Sequence, residues 1–377
     1  MPEEEFLASK LAMRAEDGSL RALAPQGNGV DFCSNDYLGL AGNEAFRRFL
    51  VREQSDHVWE TGSTGSRLLS GNHPLFEKTE RRIASFHHGE AALLFNSGYD
   101  ANLGVLSAVP SREDVIVYDS LIHASVRDGI RLSLAPAYSF RHNDPASLEK
   151  RLSRINKRSF VVVESIYSMD GDQAPLEAIS ALCRRYGAHL IVDEAHATGV
   201  AGPRGAGLVQ ALGLEDACFA RVHTFGKALG VHGAAVVGSA TLKRYLVNFA
   251  RSFIFTTAMS PASVAAVGAA YEFFPAMEAE RRRLEDLIDI FQHAALPFEK
   301  LPSRTPIQAV VIPDNAAVRA AAGHLQAGGY FLKPVLHPTV PLGRERLRVV
   351  LHSFNTPEQV AGLIKKLSEL ARPSTLP

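Results

Sequence analysis

From about residue 74 onward, short apolar runs alternate with stretches in which apolar residues recur at helical spacing. Pro74 suits the first turn of a helix, and Phe76, Thr79, Ile83 and Phe86 follow it at that spacing. The short apolar runs occupy residues 91–95, 115–118, 160–163, 189–192 and 234–237. Such runs, separated by helices, are typical of a mostly parallel sheet covered on both faces. The pattern predicts an α/β fold with a large domain built on such a sheet.

The pattern changes after about residue 262. Residues 271–292 are rich in Glu and Arg and predict one long connecting helix, and strands are predicted near residues 307–312 and 346–351. Thr356 is a good N-cap, and Pro357 suits the first position of a closing helix. We expect a short N-terminal segment (1–45), a large domain (46–270) and a smaller α+β C-terminal domain (271–377).

Charge and composition exclude several classes of protein. The chain has 40 Lys and Arg residues against 40 Asp and Glu residues, so no excess charge indicates nucleic acid or an anionic membrane surface as a partner. No apolar run approaches the length that spans a bilayer, and the acidic N-terminus lacks the apolar segment of a signal peptide. Cys33, Cys183 and Cys218 are widely separated, which favours neither disulfides nor a metal site. We expect a cytoplasmic protein.

Two of the apolar strands end in chemically active residues. Residues 189–192 lead into Asp193, and residues 222–225 lead into a turn that carries Lys227. In an open α/β sheet, both side chains could face the crevice where such sheets bind ligands. A carboxylate and a lysine in one crevice suit pyridoxal phosphate, because the acid keeps the pyridinium nitrogen protonated and the lysine forms the Schiff base. Alone, each could be a turn acid or a surface lysine, so the pair needs support elsewhere in the chain.

Three further segments follow strands and could complete such a site. The turn with Ser97 and Gly98 could direct backbone N–H groups at a phosphate, or could be an ordinary turn between a strand and a helix. His123 could stack on a planar ring or lie in the core. Ser168, in a polar loop, is a plausible hydrogen-bonding neighbour of a ring substituent, and residues 170–172 beside it also suit a simple turn.

Nucleotide and metal alternatives fit poorly. A P-loop needs a glycine where Arg221 stands and Ser or Thr where Ala228 follows Lys227. The glycines of residues 62–65 and 202–207 do not have the order of a dinucleotide-binding loop. His196 lies one helical turn after Asp193, within reach of the same ring, but a metal site needs more ligands close by.

Taken together, these segments form an ordered set. Residues 61–72, the turn at Asn96, the His123 segment, and the strings SMDGD (168–172), DEAH (193–196) and TFGK (224–227) follow one another in the chain. Their order resembles that of the α-oxoamine synthases, over a span from about Asp31 to Phe354. The resemblance implies the fold of a fold-type-I pyridoxal-phosphate-dependent transferase.

The resemblance also implies a role for each candidate residue of the cofactor site. Lys227 corresponds to the Schiff-base lysine, Asp193 to the partner of the pyridinium nitrogen, and His123 to the histidine stacked on the ring. His196 and Ser168 correspond to neighbours of the phenolic oxygen. The remaining cofactor contacts implied by the family are the turn residues Ser97, Gly98 and Tyr99, and Thr224 beside the phosphate. Lys227, His123, Asp193 and His196 are expected to be catalytic.

Two further implications concern substrates and partners. Arg348 corresponds to the arginine that binds the amino-acid carboxylate, for which its bidentate geometry is suited. Thr256 and Thr257 correspond to a segment that reaches the phosphate of a partner subunit, so the family pattern implies a homodimer with shared active sites.

The implied reaction is the decarboxylative condensation of an amino acid with an acyl thioester. Residues 249–251, 255–261, 338–341 and 346–348 favour the biotin-pathway branch, which uses L-alanine and pimeloyl-CoA or a pimeloyl carrier protein. Two positions depart from that branch: Ala197 replaces a glycine, and residues 336–337 read Leu-His where Arg-Pro is common. The second departure bears on recognition of the acyl group.

Alternative functions remain open from the sequence. Within the family these are condensation of glycine with acetyl-CoA, or of serine with a long-chain acyl thioester. A fold-type-I aminotransferase would share the aspartate and the lysine, but the His123 segment and the glycine-rich residues 62–71 disfavour it. A non-catalytic relative is disfavoured because Lys227, Asp193, His196 and Arg348 occur together with His123.

Overall fold

The computed structural model describes residues 4–23, 27, 29–54 and 61–370. The chain forms two compact units. Unit 1 comprises Met1–Asn35, Met169–Asp172 and Arg282–Pro377, and unit 2 comprises Asp36–Ser168 and Gln173–Arg281. The division of the chain into three consecutive segments ending at residues 45, 270 and 377 stays a prediction.

The strands of the described chain are numbered in chain order. They are β1 (Val30–Asp31), β2 (Ala91–Phe95), β3 (Val115–Asp119), β4 (Ala137–Phe140), β5 (Ser159–Glu164), β6 (His189–Asp193), β7 (Cys218–Thr224), β8 (Ala234–Gly238), β9 (Ile307–Val311), β10 (Tyr330–Phe331), β11 (Lys333–Val335) and β12 (Arg346–Val350).

The α-helices of the same part of the chain are numbered likewise. They are α1 (Glu5–Glu16), α2 (Glu44–Gln54), α3 (Pro74–Phe86), α4 (Gly98–Ala108), α5 (Ala124–Ser133), α6 (Pro145–Leu152), α7 (Leu176–Tyr186), α8 (Leu208–Ala211), α9 (Ala240–Phe249), α10 (Arg251–Ile254), α11 (Pro261–Phe273), α12 (Glu278–His293), α13 (Asn315–Ala327) and α14 (Pro357–Glu369). None of these helices is both long and apolar enough to cross a membrane.

Unit 2 contains a seven-stranded sheet in the order β2-β8-β7-β6-β5-β3-β4. Five strands run parallel to one another, namely β4, β3, β5, β6 and β7. Strand β8 is antiparallel to both β7 and β2. The predicted α/β architecture with a mostly parallel sheet is therefore confirmed. The short edge strand β4 was not predicted, since its sequence AYSF contains no continuous apolar run.

Both faces of this sheet are covered by helices, as its apolar strands require. In β5, Phe160 and Val162 pack on one face with helices α4, α5, α9 and α10, while Val161 and Val163 pack on the other face with α6 and α7. Successive side chains of a strand point to opposite faces, so a strand buried on both faces must be apolar throughout. Glu164, at the end of β5, is a buried polar residue and departs from this apolar pattern.

Unit 1 contains a three-stranded antiparallel sheet in the order β11-β12-β9 and a short parallel pair formed by β1 and β10. Strands β9 and β12 and the helix α14, with Thr356 as its N-cap and Pro357 at its start, were predicted. The single helix predicted for residues 271–292 was wrong. The chain instead ends α11 at Phe273 and begins α12 at Glu278, because Pro275 between them lacks the N–H that a continuous helix requires.

The loop Met169–Asp172 belongs to unit 1 and is anchored there. Arg346 forms an ion pair with Asp170, and the hydroxyls of Ser303 and Thr305 each donate to the carbonyl of Gly171 at 2.9 Å. Gly171 has φ +74°, a conformation that side chains rarely adopt. The turn geometry expected for residues 170–172 is therefore present, and the acid at its start additionally forms a buried ion pair.

Two buried histidines stack in unit 2. The rings of His87 and His223 are 3.7 Å apart, and the His87 Nε2 atom lies 2.9 Å from the hydroxyl of Tyr271. Because His87 Nδ1 faces the carbonyl of Ala206 at 3.0 Å, Nδ1 carries the proton and Nε2 accepts from Tyr271. Burial lowers the pKa of both histidines well below the usual value, so the pair is neutral in the folded protein.

This pair is expected to make the fold acid-labile. An unfolded histidine binds a proton below about pH 6.5, whereas the buried rings do not, so stability is complete above that pH and falls as the pH drops below it. Each ring contributes about 1.4 kcal/mol per pH unit to this loss. Replacing His223→Phe keeps a stacked ring without a titrating group. Urea unfolding between pH 5 and 7.5 should therefore show a shallower slope than the wild type.

The matched control is His88→Gln, which removes the neighbouring exposed histidine. It should leave the pH slope of the unfolding free energy close to that of the wild type. If the pH slope of the unfolding free energy is unchanged in His223→Phe, the stacked histidine pair is not the source of the acid lability.

Candidate active site

The carboxyl ends of three neighbouring strands in unit 2 meet at one edge of the sheet. Glu164 ends β5, Asp193 ends β6, and Thr224 ends β7. Glu164 and Asp193 are direct partners in the parallel register, so their side chains point to the same face. This is the edge at which open α/β sheets bind ligands.

Asp193 is buried at this edge with its carboxylate fully oriented. Its Oδ2 atom accepts from Asn102 Nδ2 at 2.7 Å, and its Oδ1 atom accepts from the backbone N–H of Ala195 at 2.9 Å. Two donors fix the plane of the carboxylate. An anion so placed can hold a proton on a basic ring nitrogen.

Glu164 is a second buried carboxyl group at the same edge. Burial raises its pKa well above the usual value, and the charge of Asp193 raises it further, although the backbone N–H groups of His123 and Ser168 act in the opposite direction. Burial therefore favours the protonated form of Glu164, and two neighbouring carboxylates are costly to ionise together.

His123 is the N-cap of helix α5. Its Nδ1 atom accepts from the backbone N–H of Ser125 at 3.2 Å and lies 2.8 Å from the Ser125 hydroxyl. Desolvation lowers the pKa of His123 and Lys227 adds to that effect, while Asp193 opposes it. The imidazole is thus held in position through one nitrogen and is neutral at physiological pH.

Lys227 lies in the turn that follows β7. Its Nζ atom donates to the Thr224 hydroxyl over 3.4 Å, and that hydroxyl lies 3.4 Å from the carbonyl oxygen of Ala195. The hydrogen bonds place the lysine amine beside the ends of β6 and β7, on the same edge as Asp193.

The turn before helix α4 has the geometry of an anion site. Ser97 is the N-cap, with its hydroxyl accepting from the N–H of Asp100 at 3.1 Å. Gly98 lies directly against Thr224, where a Cβ atom would collide with the threonine methyl group. Helix N-termini present N–H groups without intrahelical partners, and they bind phosphate.

The remaining cofactor candidates have partners in unit 2. His196 Nδ1 lies 2.6 Å from the hydroxyl of Tyr37. Ser168 is buried at the end of unit 2. Tyr99 donates from its hydroxyl to Asp128 on α5, and its side chain is largely accessible.

Thr256 and Thr257 lie beside the Asn96 turn of their own chain. Asn96 Nδ2 donates to Thr256 Oγ1 at 3.1 Å and to the Thr257 carbonyl at 2.8 Å. The carboxamide therefore connects these threonines to the turn that precedes Ser97. Their expected contact with a partner's phosphate stays a prediction.

Arg348 belongs to unit 1. It lies in the middle of β12, and its Nη2 atom donates to Asn35 Oδ1 at 3.0 Å. This hydrogen bond orients the guanidinium plane.

The donor set of unit 2 fits pyridoxal phosphate. It combines the Asp193 carboxylate for the ring nitrogen, the Lys227 amine, and the His123 imidazole, which is held through Nδ1. It also includes the N-terminus of α4, where a Cβ atom at Gly98 would collide with Thr224. The site residues of the sequence analysis that contribute to this set are Asp193, Lys227, His123, Ser97, Gly98 and Thr224. No group of three or more His, Cys, Asp or Glu side chains in the described part of the chain could hold a metal ion.

Three contributors were not identified from the sequence: Asn102, Tyr37 and Glu164. Asn102 is a lone buried amide in an apolar stretch of α4, and that isolation was a usable signal. Glu164 ends an otherwise apolar strand and was visible in the same way. Tyr37 lies in a short mixed segment, and no local pattern indicates that it would contact His196.

Comparisons with known proteins show the family of the chain. The family model described as aminotransferase class I and II matches residues 27–367. The 8-amino-7-oxononanoate synthase of Emericella nidulans is 43% identical over 367 residues, which cover 90% of this chain and 88% of that protein.

Solved structures are similar over most of the chain. A serine palmitoyltransferase from S. paucimobilis with a bound PLP–myriocin aldimine is 26% identical, has a TM-score of 0.87, and is matched over 97% of this chain and 96% of that one. The 8-amino-7-oxononanoate synthase from Francisella tularensis is 28% identical with a TM-score of 0.77, over 90% of this chain and 97% of that one. The expected fold-type-I architecture is therefore confirmed.

Adding a methyl group at Gly98 is expected to impair cofactor binding. In Gly98→Ala the new Cβ atom collides with Thr224 Cγ2 and displaces the turn, and overpacking of this kind should weaken pyridoxal phosphate binding by about five- to hundredfold. The affinity is measured by titrating the cofactor-free protein and recording visible absorbance.

Thr224→Ser removes the colliding methyl group and keeps the hydroxyl, so it should restore affinity to Gly98→Ala. Gly323→Ala, at a helical position with open space around it, is the matched control and should bind normally. Normal binding by Gly98→Ala alone would show that the turn does not hold the phosphate.

Proposed function

The chain belongs to the class I and II aminotransferase family and within it to the α-oxoamine synthases, and we propose that it makes 8-amino-7-oxononanoate from L-alanine and a pimeloyl thioester. Enzymes of this class are acyltransferases that use pyridoxal phosphate, and this chain is one of them. The observation that carries the specific proposal is the 43% identity to an 8-amino-7-oxononanoate synthase over most of both proteins. The product places the reaction in biotin biosynthesis.

The proposed reaction forms one carbon–carbon bond and breaks two bonds. The α-carbon of alanine bonds to the acyl carbon of the thioester, whose carbon–sulfur bond breaks to release the thiol. The bond between the α-carbon and the carboxylate also breaks, releasing carbon dioxide, and a proton then returns to the α-carbon in place of the α-proton removed before condensation. The departing sulfur takes up the second proton as the thiol. When bound, pyridoxal phosphate supplies the electron sink that makes the α-carbon nucleophilic.

We propose that the residues of the sheet edge hold and tune this cofactor. Asp193 keeps the ring nitrogen protonated, because its carboxylate is ionised and rigidly oriented. His123 faces the ring as a neutral imidazole. The turn at Ser97 and Gly98 binds the phosphate, with Thr224 beside it.

Further contacts complete the proposed cofactor site. His196, held by Tyr37, and Ser168 neighbour the phenolic oxygen. Tyr99 belongs to the turn at the phosphate. Thr256 and Thr257 reach the phosphate of a second copy of the chain, so we propose a homodimer with shared active sites.

Lys227 has two proposed roles. Lys227 would hold the cofactor covalently when the cofactor is bound, and its free amine would remove the α-proton once the amino acid is bound. General base catalysis requires a neutral amine close to the proton that it removes. Its hydrogen bond with Thr224 orients the amine at the sheet edge.

We propose that Arg348 binds the carboxylate of the amino acid. A guanidinium group can donate two parallel hydrogen bonds to a carboxylate, and the hydrogen bond with Asn35 fixes its plane in advance.

A second candidate function differs in the acyl thioester and the amino acid that the enzyme would use. Leu336 and His337 stand where biotin-pathway relatives commonly have Arg-Pro, and the similarity to a serine palmitoyltransferase structure favours serine with a long-chain acyl thioester as the alternative. Glycine with acetyl-CoA is a further alternative within the class, and simple amino-group transfer is the least favoured.

Loss of the lysine amine is expected to abolish turnover. Lys227→Ala removes both the covalent attachment and the base, so thiol release should fall by at least about 10²- to 10⁴-fold. The absorbance of the covalently attached cofactor should disappear as well. Lys78→Ala, an exposed lysine on α3, is the control and should behave as wild type. Wild-type turnover in Lys227→Ala would refute the assignment.

A thiol-release assay across amino acids and acyl thioesters tests the substrates. L-Alanine with pimeloyl-CoA or a pimeloyl carrier protein should exceed other pairs by about tenfold or more in kcat/KM, the discrimination that a few substrate contacts supply. Faster release with serine and a long-chain thioester, or with glycine and acetyl-CoA, would replace the proposed substrates. Production of a keto acid without thiol release would indicate an aminotransferase.

A further inference from the structure

We propose that Asn102 is a positioning residue that orients Asp193 directly and, through the Ser125 hydroxyl, orients the imidazole of His123. The proposal rests on the cofactor site described above and does not depend on which amino acid or acyl thioester is used.

Asn102 connects two elements of the site. It lies in the middle of α4 with only 3% of its surface exposed, and its Nδ2 atom donates to Asp193 Oδ2 at 2.7 Å and to Ser125 Oγ at 3.0 Å. The amide nitrogen, rather than the amide oxygen, must face Asp193 because an ionised carboxylate can only accept. Both N–H bonds of the amide are thereby used.

The direction of the remaining hydrogen bonds follows from this donor. Ser125 is 1% exposed, and its hydroxyl lies 2.8 Å from His123 Nδ1. The backbone N–H of Ser125 also points at Nδ1, at 3.2 Å, and an N–H can only donate. Nδ1 is therefore an acceptor without a proton. The Ser125 hydroxyl, which accepts from Asn102, has its own hydrogen available for Nδ1.

The tautomer of His123 follows from the backbone N–H of Ser125. A neutral imidazole whose Nδ1 atom accepts must carry its proton on Nε2. The chain Asn102 to Ser125 to His123 adds the Ser125 hydroxyl as a second donor to Nδ1, and two donors fix the orientation of the ring. The second N–H of the same amide orients Asp193. One buried side chain consequently sets the geometry of two groups that the cofactor ring would contact.

A purely structural role for Asn102 makes a different prediction. If the amide only fills space in α4, then Asn102→Asp, which has nearly the same shape, should leave the site unchanged. If the N–H donors matter, this variant places an acceptor against the Asp193 carboxylate and removes the donor to Ser125. The isosteric substitution therefore separates shape from hydrogen bonding.

The first experiment measures cofactor affinity and the state of His123 without any substrate. Pyridoxal phosphate is titrated into wild type, Asn102→Asp and Ser125→Ala, and the histidine imidazoles are observed by ¹⁵N NMR, with His123→Gln for assignment. We expect about ten- to hundredfold weaker cofactor binding in Asn102→Asp, the value of a charged hydrogen bond. In both variants the ¹⁵N resonance of His123 Nδ1 should shift because this nitrogen loses the Ser125 hydroxyl as a donor, while the backbone N–H at residue 125 keeps the Nε2–H tautomer.

Unchanged affinity, within about twofold, together with an unchanged His123 ¹⁵N spectrum in Asn102→Asp would overturn the proposal. If that variant does not fold, Ser125→Ala decides the His123 part alone: a wild-type His123 spectrum overturns it, and a shifted Nδ1 resonance supports it. Failure of the substrate proposal would appear only in the thiol-release assay, so the two failures are distinguishable.

A double-mutant cycle supplies a second test. Because Asn102 and Ser125 belong to one chain of hydrogen bonds, the effects of Asn102→Ala and Ser125→Ala on cofactor affinity should be non-additive. The control pair combines Asn102→Ala with Ser107→Ala, whose hydroxyl bonds only to the carbonyl of Leu103 within α4. That pair should be additive. Additivity in both cycles would contradict the proposed coupling.

Discussion

One buried negative charge, the carboxylate of Asp193 at the end of β6, is the constraint around which the rest of the site is organised. A buried anion is costly unless it is hydrogen-bonded, and here Asn102 and the N–H of Ala195 supply the bonds. The parallel sheet brings this residue to the same edge as Thr224 and Lys227. A ligand with a basic ring nitrogen would complete the electrostatic balance of this edge.

The pKa values of the titratable groups near Asp193 are shifted so that their uncharged forms are favoured. Burial raises the pKa of Glu164, directly beside Asp193 in the sheet, well above the usual value and so favours its protonated form. His123 is neutral because desolvation lowers its pKa. Farther from the site, Glu194 has its pKa raised to about 7 by burial, and its carboxyl group accepts from the N–H groups of Leu208 and Val209. Burial therefore favours the uncharged form of each of these three groups in unit 2.

Sequence patterns predicted the regular elements of this fold better than their interruptions. Strands β5 and β6 were predicted because burial on both faces demands continuous apolar residues. The edge strand β4 escaped prediction because one of its sides faces solvent, and the break between α11 and α12 was missed although Pro275 signals it. Likewise, Asp193 and Lys227 were predicted as site residues because they follow apolar strands. Asn102 and Tyr37 were missed because the residues around them in the chain do not indicate which side chains they contact.

The sequence by itself determined the α/β class, the strand ends that carry the acid and the lysine, and the family to which these motifs belong. These features are local, because apolar periodicity and short motifs are read within a few residues of the chain. Only the tertiary structure decided that Asn102 joins Asp193 to Ser125, that Tyr37 contacts His196, and that burial raises the pKa of Glu164. Each of these depends on burial and on contacts between residues far apart in the chain, for which no local pattern carries a signal.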